Sequence, residues 1–465
     1  MEQILERIHS LLWGPALLAV LLGLGLYFGA KTGWFQLHLL RILKQTLFYR
    51  PKKGESADGI SSRRAASAAL AGTVGTGNII GVSAALMTGG AGAVFWMWVS
   101  ALLGMGIKYG EILLAVYFKK KSPEHTGGGP MYYMEQGLHC KPLAVWFSLA
   151  AIGAALTGGC FTQVNAVCSV LGEENTWRSL AAGGVIALLA GLCIFGGIRR
   201  ISRVTAVLVP VFSIVFLGAG LVVIFCCIPQ LPAVFATIFQ QAFSLESVSG
   251  GLLGTGLAVS LRLGMARGIF SNEAGVGSSP MVYASGKESD PVRQGLWGVL
   301  EVFLDTIVIC TVTALVILLT VGISPAQTPM ELVNLAFSSV LGEWARPVLG
   351  VSIFLFAFAA LLSWCFYGEQ GIRYLGKGKT SVTVYRCCFV LFCFLGALYP
   401  SQSVWLLGDC CNGLMLLPNV IALLLLRKKV IEVTKTSSLY TVLRTTRIVK
   451  RPRIGQNYQK SKKSL

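Results

Sequence analysis

Two glycine-rich segments, Gly72-Thr73-Val74-Gly75-Thr76-Gly77-Asn78 and Gly268-Ile269-Phe270-Ser271-Asn272-Glu273-Ala274-Gly275, each interrupt an apolar stretch long enough to cross a membrane, roughly two hundred residues apart. A backbone that unwinds inside lipid leaves N–H and C=O groups without partners. Such a break survives only against a buried polar site or a water-filled cavity. Two corresponding breaks point to one binding site between two halves of a transporter.

The rest of the chain fits that setting. Hydrophobic residues make up 54% of the sequence and charged residues 13%, with a mean hydropathy of +0.69, whereas a soluble domain carries about 25% charged residues. This excludes a soluble globule and predicts an all-α polytopic membrane protein. About 20 apolar residues cross a hydrocarbon core of about 30 Å. Eleven stretches qualify, at 11–30, 65–88, 92–118, 143–171, 179–198, 203–228, 250–288, 294–322, 345–368, 383–400 and 404–426. The first follows Glu2, Glu6 and Arg7 rather than a basic leader, so it is expected to be a retained span. The shorter stretches 232–247 and 326–344 suit interfacial helices or re-entrant caps.

Loop charge sets the expected orientation, because Lys and Arg are retained on the cytoplasmic side. Basic residues collect in 31–64, at Lys119-Lys120-Lys121, at Arg199-Arg200-Arg203, at Lys287 and Arg293, and at Arg373, Lys377 and Lys379, while the turn at Gly89–Gly92 carries no charge. The N-terminus is therefore expected outside and the C-terminus inside, in the inner membrane of a bacterium. After residue 426 the chain holds twelve Lys and Arg against one acid, Glu432, or +11 of the formal +19. Anionic lipid is the expected partner of this tail. No nucleic-acid partner is expected, since the tail has no folded reading module. The thirteen cysteines fall mostly within spans and show no Cys-x-x-Cys spacing, and all four histidines lie outside the spans, so no metal-ligand pattern is expected within the membrane.

Setting the first span aside, ten remain, and each group of five begins with a broken span. Five is odd, so the halves insert with opposite orientation, as in inverted-repeat transporters. The expected divisions are 1–64, an extra N-terminal span and basic linker; 65–228, the first five-span repeat; 229–249, an extracellular connection; 250–426, the second repeat; and 427–465, the cytoplasmic tail. In the loop 119–142, Gly127-Gly128-Gly129-Pro130 reads as a tight turn, and Met131 to Glu135 as either part of that turn or an amphipathic segment along the interface.

At each break, the helix that follows presents N–H groups and the helix that precedes presents C=O groups. One suits a carboxylate and the other a cation. Gly72, Gly75 and Gly77 let a ligand approach the backbone, and Thr73, Thr76 and Asn78 bring hydroxyl and amide groups within reach. This profile suits a small zwitterion accompanied by an alkali ion. Gln163, with four hydrogen-bonding sites in an apolar span, needs a partner. Lys108 and Glu111, three apart, are expected to pair along one helix face. Glu301 and Asp305 are expected to join Arg262 and Arg267 in a charge network behind the second break. Glu273 is expected either to cap freed N–H groups or to sense protons.

These motifs, together with Gly89-Gly90-Ala91-Gly92-Ala93-Val94-Phe95-Trp96-Met97-Trp98-Val99-Ser100-Ala101 and Gly128-Gly129-Pro130-Met131-Tyr132-Tyr133, resemble the sodium:alanine symporter family, from about residue 10 to residue 426. The resemblance implies a LeuT-type core of five plus five inverted spans with one extra N-terminal span, eleven in all. It further implies a secondary active transporter that imports a small neutral amino acid (alanine, glycine or serine) with sodium. By that resemblance the substrate meets Thr73, Gly75, Thr76, Gly77, Asn78, Gln163, Ile269, Phe270, Ser271, Asn272 and Trp364. The coupling sodium meets the carbonyls of Ala71 and Val74, with Ala360 and Ser363 on the ninth span. The chain departs from the pattern where it has Ala359 and Ala360 in place of hydroxyl-bearing residues, and Ser363 before the tryptophan. A proton-coupled or uncoupled amino-acid carrier, and an amino-acid sensor that does not transport, are the rival readings. No enzyme is expected and no cofactor beyond the coupling ion.

Overall fold

A computed structural model describes residues 2–48, 59–121, 126–171, 176–244, 256–288, 290–323, 328–376, 378–398 and 401–444. The basic tail past residue 444, Arg50, Lys52 and Lys53 of the linker, and Lys377 lie outside these residues.

The described residues form a bundle of helices, apart from a pair of two-residue strands, β1 (Lys120–Lys121) and β2 (Thr126–Gly127). Before the core come α1 (Glu2–Leu12), α2 (Pro15–Thr32) and the short α3 (Leu39–Thr46). The first broken span is α4 (Ser62–Thr73) and α5 (Ile80–Gly89), bent by 59°. Then follow α6 (Gly92–Tyr117), α7 (Pro130–Leu138), α8 (Lys141–Leu156), α9 (Thr162–Leu171), α10 (Thr176–Ile194), α11 (Gly197–Cys226) and α12 (Leu231–Ala242). The second broken span is α13 (Gly256–Asn272) and α14 (Ser279–Ala284). The remaining helices are α15 (Pro291–Val302), α16 (Thr311–Leu319), α17 (Pro329–Leu341), α18 (Ala345–Leu375), α19 (Lys379–Leu395), α20 (Ser401–Thr436) and α21 (Ser438–Arg444).

Among the described residues, eight helices are long and apolar enough to cross a membrane, or nine with the bent pair α4–α5 as one span. The broken span α13–α14 and the 17-residue α19 fall short of that length. Their positions match the seventh and tenth expected stretches. The stretches 232–247 and 326–344 are the separate short helices α12 and α17, and α17 opens with a Thr328/Glu331 capping box and Pro329 at its first position.

Two boundaries and the placement of one segment differ from the sequence expectation. The first span begins earlier and turns at Trp13-Gly14, where Pro15 starts a new helix. The last span does not stop at 426 but runs to Thr436, so the first basic residues of the tail, from Arg427 to Lys435, are helical. The segment Met131–Met134 does not lie along the interface; it is buried in α7, and the Tyr133 hydroxyl donates to Asn419 of α20.

Helix α6 is the enclosed column of the bundle, with 89% of its apolar window buried. Small residues on its neighbours allow that depth, as membrane helices without a hydrophobic drive between them pack by close backbone approach. Gly268 of α13 lies on Ser100, and Gly295 and Gly298 of α15 lie on Tyr109 and Lys108. Two α-helical ladders widen into π-helical turns, at Thr157–Phe161 between α8 and α9 and at Phe303–Cys310 between α15 and α16.

Candidate functional site

The first break begins where α4 ends. Val74 still donates to the Leu70 carbonyl, but Gly75 turns its N–H to the Asn78 side-chain oxygen at 3.0 Å. Among the described residues, no backbone N–H bonds the carbonyls of Ala71, Gly72, Thr73 and Val74. The N–H and hydroxyl of Thr76 both donate to the Gln163 side-chain oxygen, at 3.5 and 3.2 Å. Gln163 in turn donates to the Gly158 carbonyl within the first π-helical turn at 3.4 Å. An amide from the fourth span thus dresses the first break, which answers the partner Gln163 required.

The second break lies further along than its sequence motif. Helix α13 continues through Ile269, Phe270, Ser271 and Asn272, and the chain unwinds at 273–278, with positive φ at Glu273 (53°), Gly275 (92°) and Gly277 (85°). A non-glycine residue in the left-handed region is strained, which makes Glu273 a held position. The Lys108 ammonium holds it, donating to the Glu273 carbonyl at 3.1 Å and to the Ser279 hydroxyl at 3.0 Å. The Asn419 amide donates to the Gly275 carbonyl at 2.7 Å and to Glu111 at 2.7 Å.

These contacts correct three sequence expectations. Lys108 does not pair with Glu111 on its own helix; its carboxylate is Glu301 of α15 at 3.4 Å, and that carboxylate also accepts the Thr73 hydroxyl at 3.3 Å. Arg267 leaves Glu301 and Asp305 and lies 3.9 Å from Asp409 of α20. The Glu273 carboxylate accepts the Ser278 hydroxyl rather than freed N–H groups.

Asn78 ties the first break to the end of α13, just before the second. Its amide donates to the Ser271 hydroxyl at 3.0 Å and to the Asp305 carboxylate at 2.6 Å, so α13 and the second π-helical turn converge on the first break. The Phe270 ring faces Gly77, where a Cβ would stand 3.7 Å from it. A Cβ at Gly75 would stand 3.3 Å from the Gln163 oxygen and 3.6 Å from the Ala360 methyl. Trp364 is buried against Gly159 and stands edge-on to Tyr367, whose hydroxyl packs over Gly72 with no hydrogen-bond partner among the described residues. Asn272 faces away from this group; it caps the second break at Ala274 and reaches Thr306. Ser363 donates to the Ala68 carbonyl at 2.7 Å, one turn before Ala71.

Both ends are covered. On the α1 side, Trp13 packs edge-on to Phe270 at 6.1 Å, Arg267 lies over the same ring at 5.7 Å, the Asp409 carboxylate meets Arg267 and His9 (3.5 Å), and the Asp409 main-chain carbonyl accepts the Trp13 indole N–H (3.0 Å). On the basic-loop side, Ile60 and Gly286 form a parallel backbone bridge, with Lys287 donating to the Ile60 carbonyl at 2.9 Å. The sequence reading missed Asn419 and Asp409. Each is a polar residue inside an apolar run, the signal that singled out Gln163.

The chain is similar to known proteins over nearly its whole length. The profile of the sodium:alanine symporter family matches residues 1–446. An uncharacterized transporter of Haemophilus influenzae is 40% identical over 439 residues, covering 93% of this chain and 95% of its own. The sodium/alanine symporter AgcS of Methanococcus maripaludis is 36% identical, covering 93% and 96%. Among solved structures, MhsT in complex with L-phenylalanine superposes with a TM-score of 0.58, covering 83% of this chain and 96% of its own at 14% identity. That likeness establishes the LeuT-type fold.

Proposed function

The chain belongs to the sodium:alanine symporter family, and on that premise we propose how this multi-pass membrane transporter works. It imports a small neutral amino acid, alanine, glycine or serine, with sodium. The substrate lies between the two breaks, at Thr73, Gly75, Thr76, Gly77, Asn78, Gln163, Ile269, Phe270, Ser271 and Trp364, with Asn272 bracing the second break behind it. The observation that carries this reading is the meeting of Asn78 with Ser271 beneath the Phe270 ring.

The chemistry follows from the free ends. N–H groups after Gly75 attract the carboxylate, and carbonyls before it attract the ammonium. Phe270, Gln163 and Trp364 crowd the glycines, which favours a short side chain. Unpaired carbonyls at Ala71 and Val74, with the Ser363 hydroxyl beside Ala360, suit a sodium ion. Rocking of the two halves then opens one cover and closes the other, driven by differences in ligand affinity between the states. The protein sits in a bacterial inner membrane with its N-terminus outside, and its basic tail rests on anionic lipid.

Radiolabelled alanine uptake into proteoliposomes tests this, with an inward sodium gradient or with choline. Accumulation only with sodium is the expected result, abolished by Gly77→Leu, whose side chain fills the space under Phe270. Unchanged uptake by that variant overturns the site assignment.

A further inference from the structure

The extra N-terminal span stands outside the five-plus-five repeat, yet it packs on the residues that shape the site. Gly25 of α2 lies against α6, where a Cβ would stand 2.7 Å from the Leu103 Cβ. Leu21 of α2 covers the second break at Gly275, where a Cβ would stand 2.8 Å from it. At the turn between α1 and α2, Trp13 meets the Phe270 ring edge-on.

Trp13 is not an interfacial anchor. Tryptophans at a membrane–water boundary keep one side among headgroups and water, and Trp177 and Trp344 fit that pattern at 80% and 75% exposed. Trp13 is 7% exposed, and its indole N–H is satisfied within the protein by the Asp409 main-chain carbonyl at 3.0 Å. Helix α20 backs it closely. A Cβ at Gly413 would stand 2.9 Å from the Leu12 Cβ and 3.3 Å from the Trp13 indole nitrogen, so a glycine there lets the turn sit against the helix. One hydrogen bond and one close-packed helix thus hold the indole in place.

The position of Phe270 follows from what touches it. A Cβ at Gly77 of the first break would stand 3.7 Å from the ring, the Arg267 guanidinium lies 5.7 Å over it, and Trp13 meets it at 6.1 Å. Arg267 is long and partly exposed, so it follows the ring if the ring moves. Trp13 is held and does not. The edge of the indole therefore fixes how far Phe270 stands from the glycines, and that distance is the room left for a substrate side chain.

We propose that Trp13 is a positioning residue that sets the size limit of the substrate: acting through Phe270, the extra span keeps the site to short side chains. The proposal rests on the substrate site described above. It gives a span outside the repeat a part in selectivity.

The test is displacement of radiolabelled alanine from the purified full-length protein by unlabelled alanine and leucine, alongside sodium-driven uptake of both, for the unaltered chain and for Trp13→Ala, Trp13→Leu and Trp13→Phe. In Trp13→Ala the ring withdraws into the space left behind it, and the preference for alanine over leucine is expected to fall about tenfold or more. The half-saturating alanine concentration is expected to rise more than the maximal rate changes. Trp13→Phe puts a ring edge back against Phe270 and is expected to recover most of the preference, whereas Trp13→Leu is not. A role in folding alone would lower the melting temperature and leave the preference of every variant as in the unaltered chain; that result overturns the proposal. Should Trp13→Ala not fold, an unchanged preference in Trp13→Leu overturns it. The expected loss of preference in binding, with no uptake by the unaltered chain under a sodium gradient, supports the role of Trp13 and overturns the symport reading instead. Failure of the unaltered chain to bind alanine overturns both.

Discussion

The two breaks look alike in sequence and are held in opposite ways. The first is dressed by neutral amides, Gln163 on Thr76 and Asn78 on Gly75, while the carbonyls before it stay open. The second is fastened by a buried ammonium on one carbonyl and an amide on another, at a position already strained by the positive φ of Glu273. A neutral amide can exchange one hydrogen bond for another at little cost, whereas a buried charge that loses its partner cannot. The lesson is a division of labour: the first break is free to meet a ligand, and the second gives it a fixed wall.

The strongest way to break this contrast is Lys108→Met. It leaves Glu301 buried without its ammonium and the Glu273 carbonyl without a donor, a loss of about 3–5 kcal/mol in comparable buried pairs. A large fall in melting temperature in detergent is expected, or loss of the folded protein altogether; a melting curve like that of the unaltered chain would show that Lys108 does not fasten the second break. Gln163→Ala sharpens the contrast from the other side. It removes the acceptor of the Thr76 N–H and hydroxyl, a stability cost of about 1–3 kcal/mol, so a fall in melting temperature smaller than that of Lys108→Met is expected, together with a loss of alanine affinity. A fall in stability as large as that of Lys108→Met would erase the distinction. The smallest effect is expected from Asp409→Asn, because its partners Arg267 and His9 are partly exposed and such pairs contribute about 1 kcal/mol or less. Uptake should become faster or leakier as the cover over Phe270 loosens, with affinity within about fivefold at that energy.

Much of this was legible in the sequence, and the reasons are physical. Hydropathy located the helices because a span must be long and apolar, and glycine clusters located the breaks because few other residues tolerate them. Gln163 betrayed itself as an amide in lipid. The partners of the buried charges were not legible. Lys108 and Glu111 have the spacing of a helix pair, yet Lys108 leans on α15 because Gly298 leaves room there. Local spacing says which residues can meet along one helix, and only packing says which of them do. The true start of the second break was hidden for a similar reason. Ile269 to Asn272 stay helical because Glu273 still donates to the Ile269 carbonyl, and the strain falls on the residues that follow. The π-helical turns left no compositional mark at all.

The bridge between Ile60 and Gly286 joins the chain just before α4 to the chain just after α14, and it consists of main-chain atoms only. Such a joint is silent in the alphabet of residues. Relatives can rewrite both positions and keep it, so neither a scan of substitutions nor a comparison of sequences would report its presence. Mechanically it works as a pin: whatever displacement one of these half-helices makes, the other inherits, and a disulfide or a proline placed there would be felt at both breaks at once.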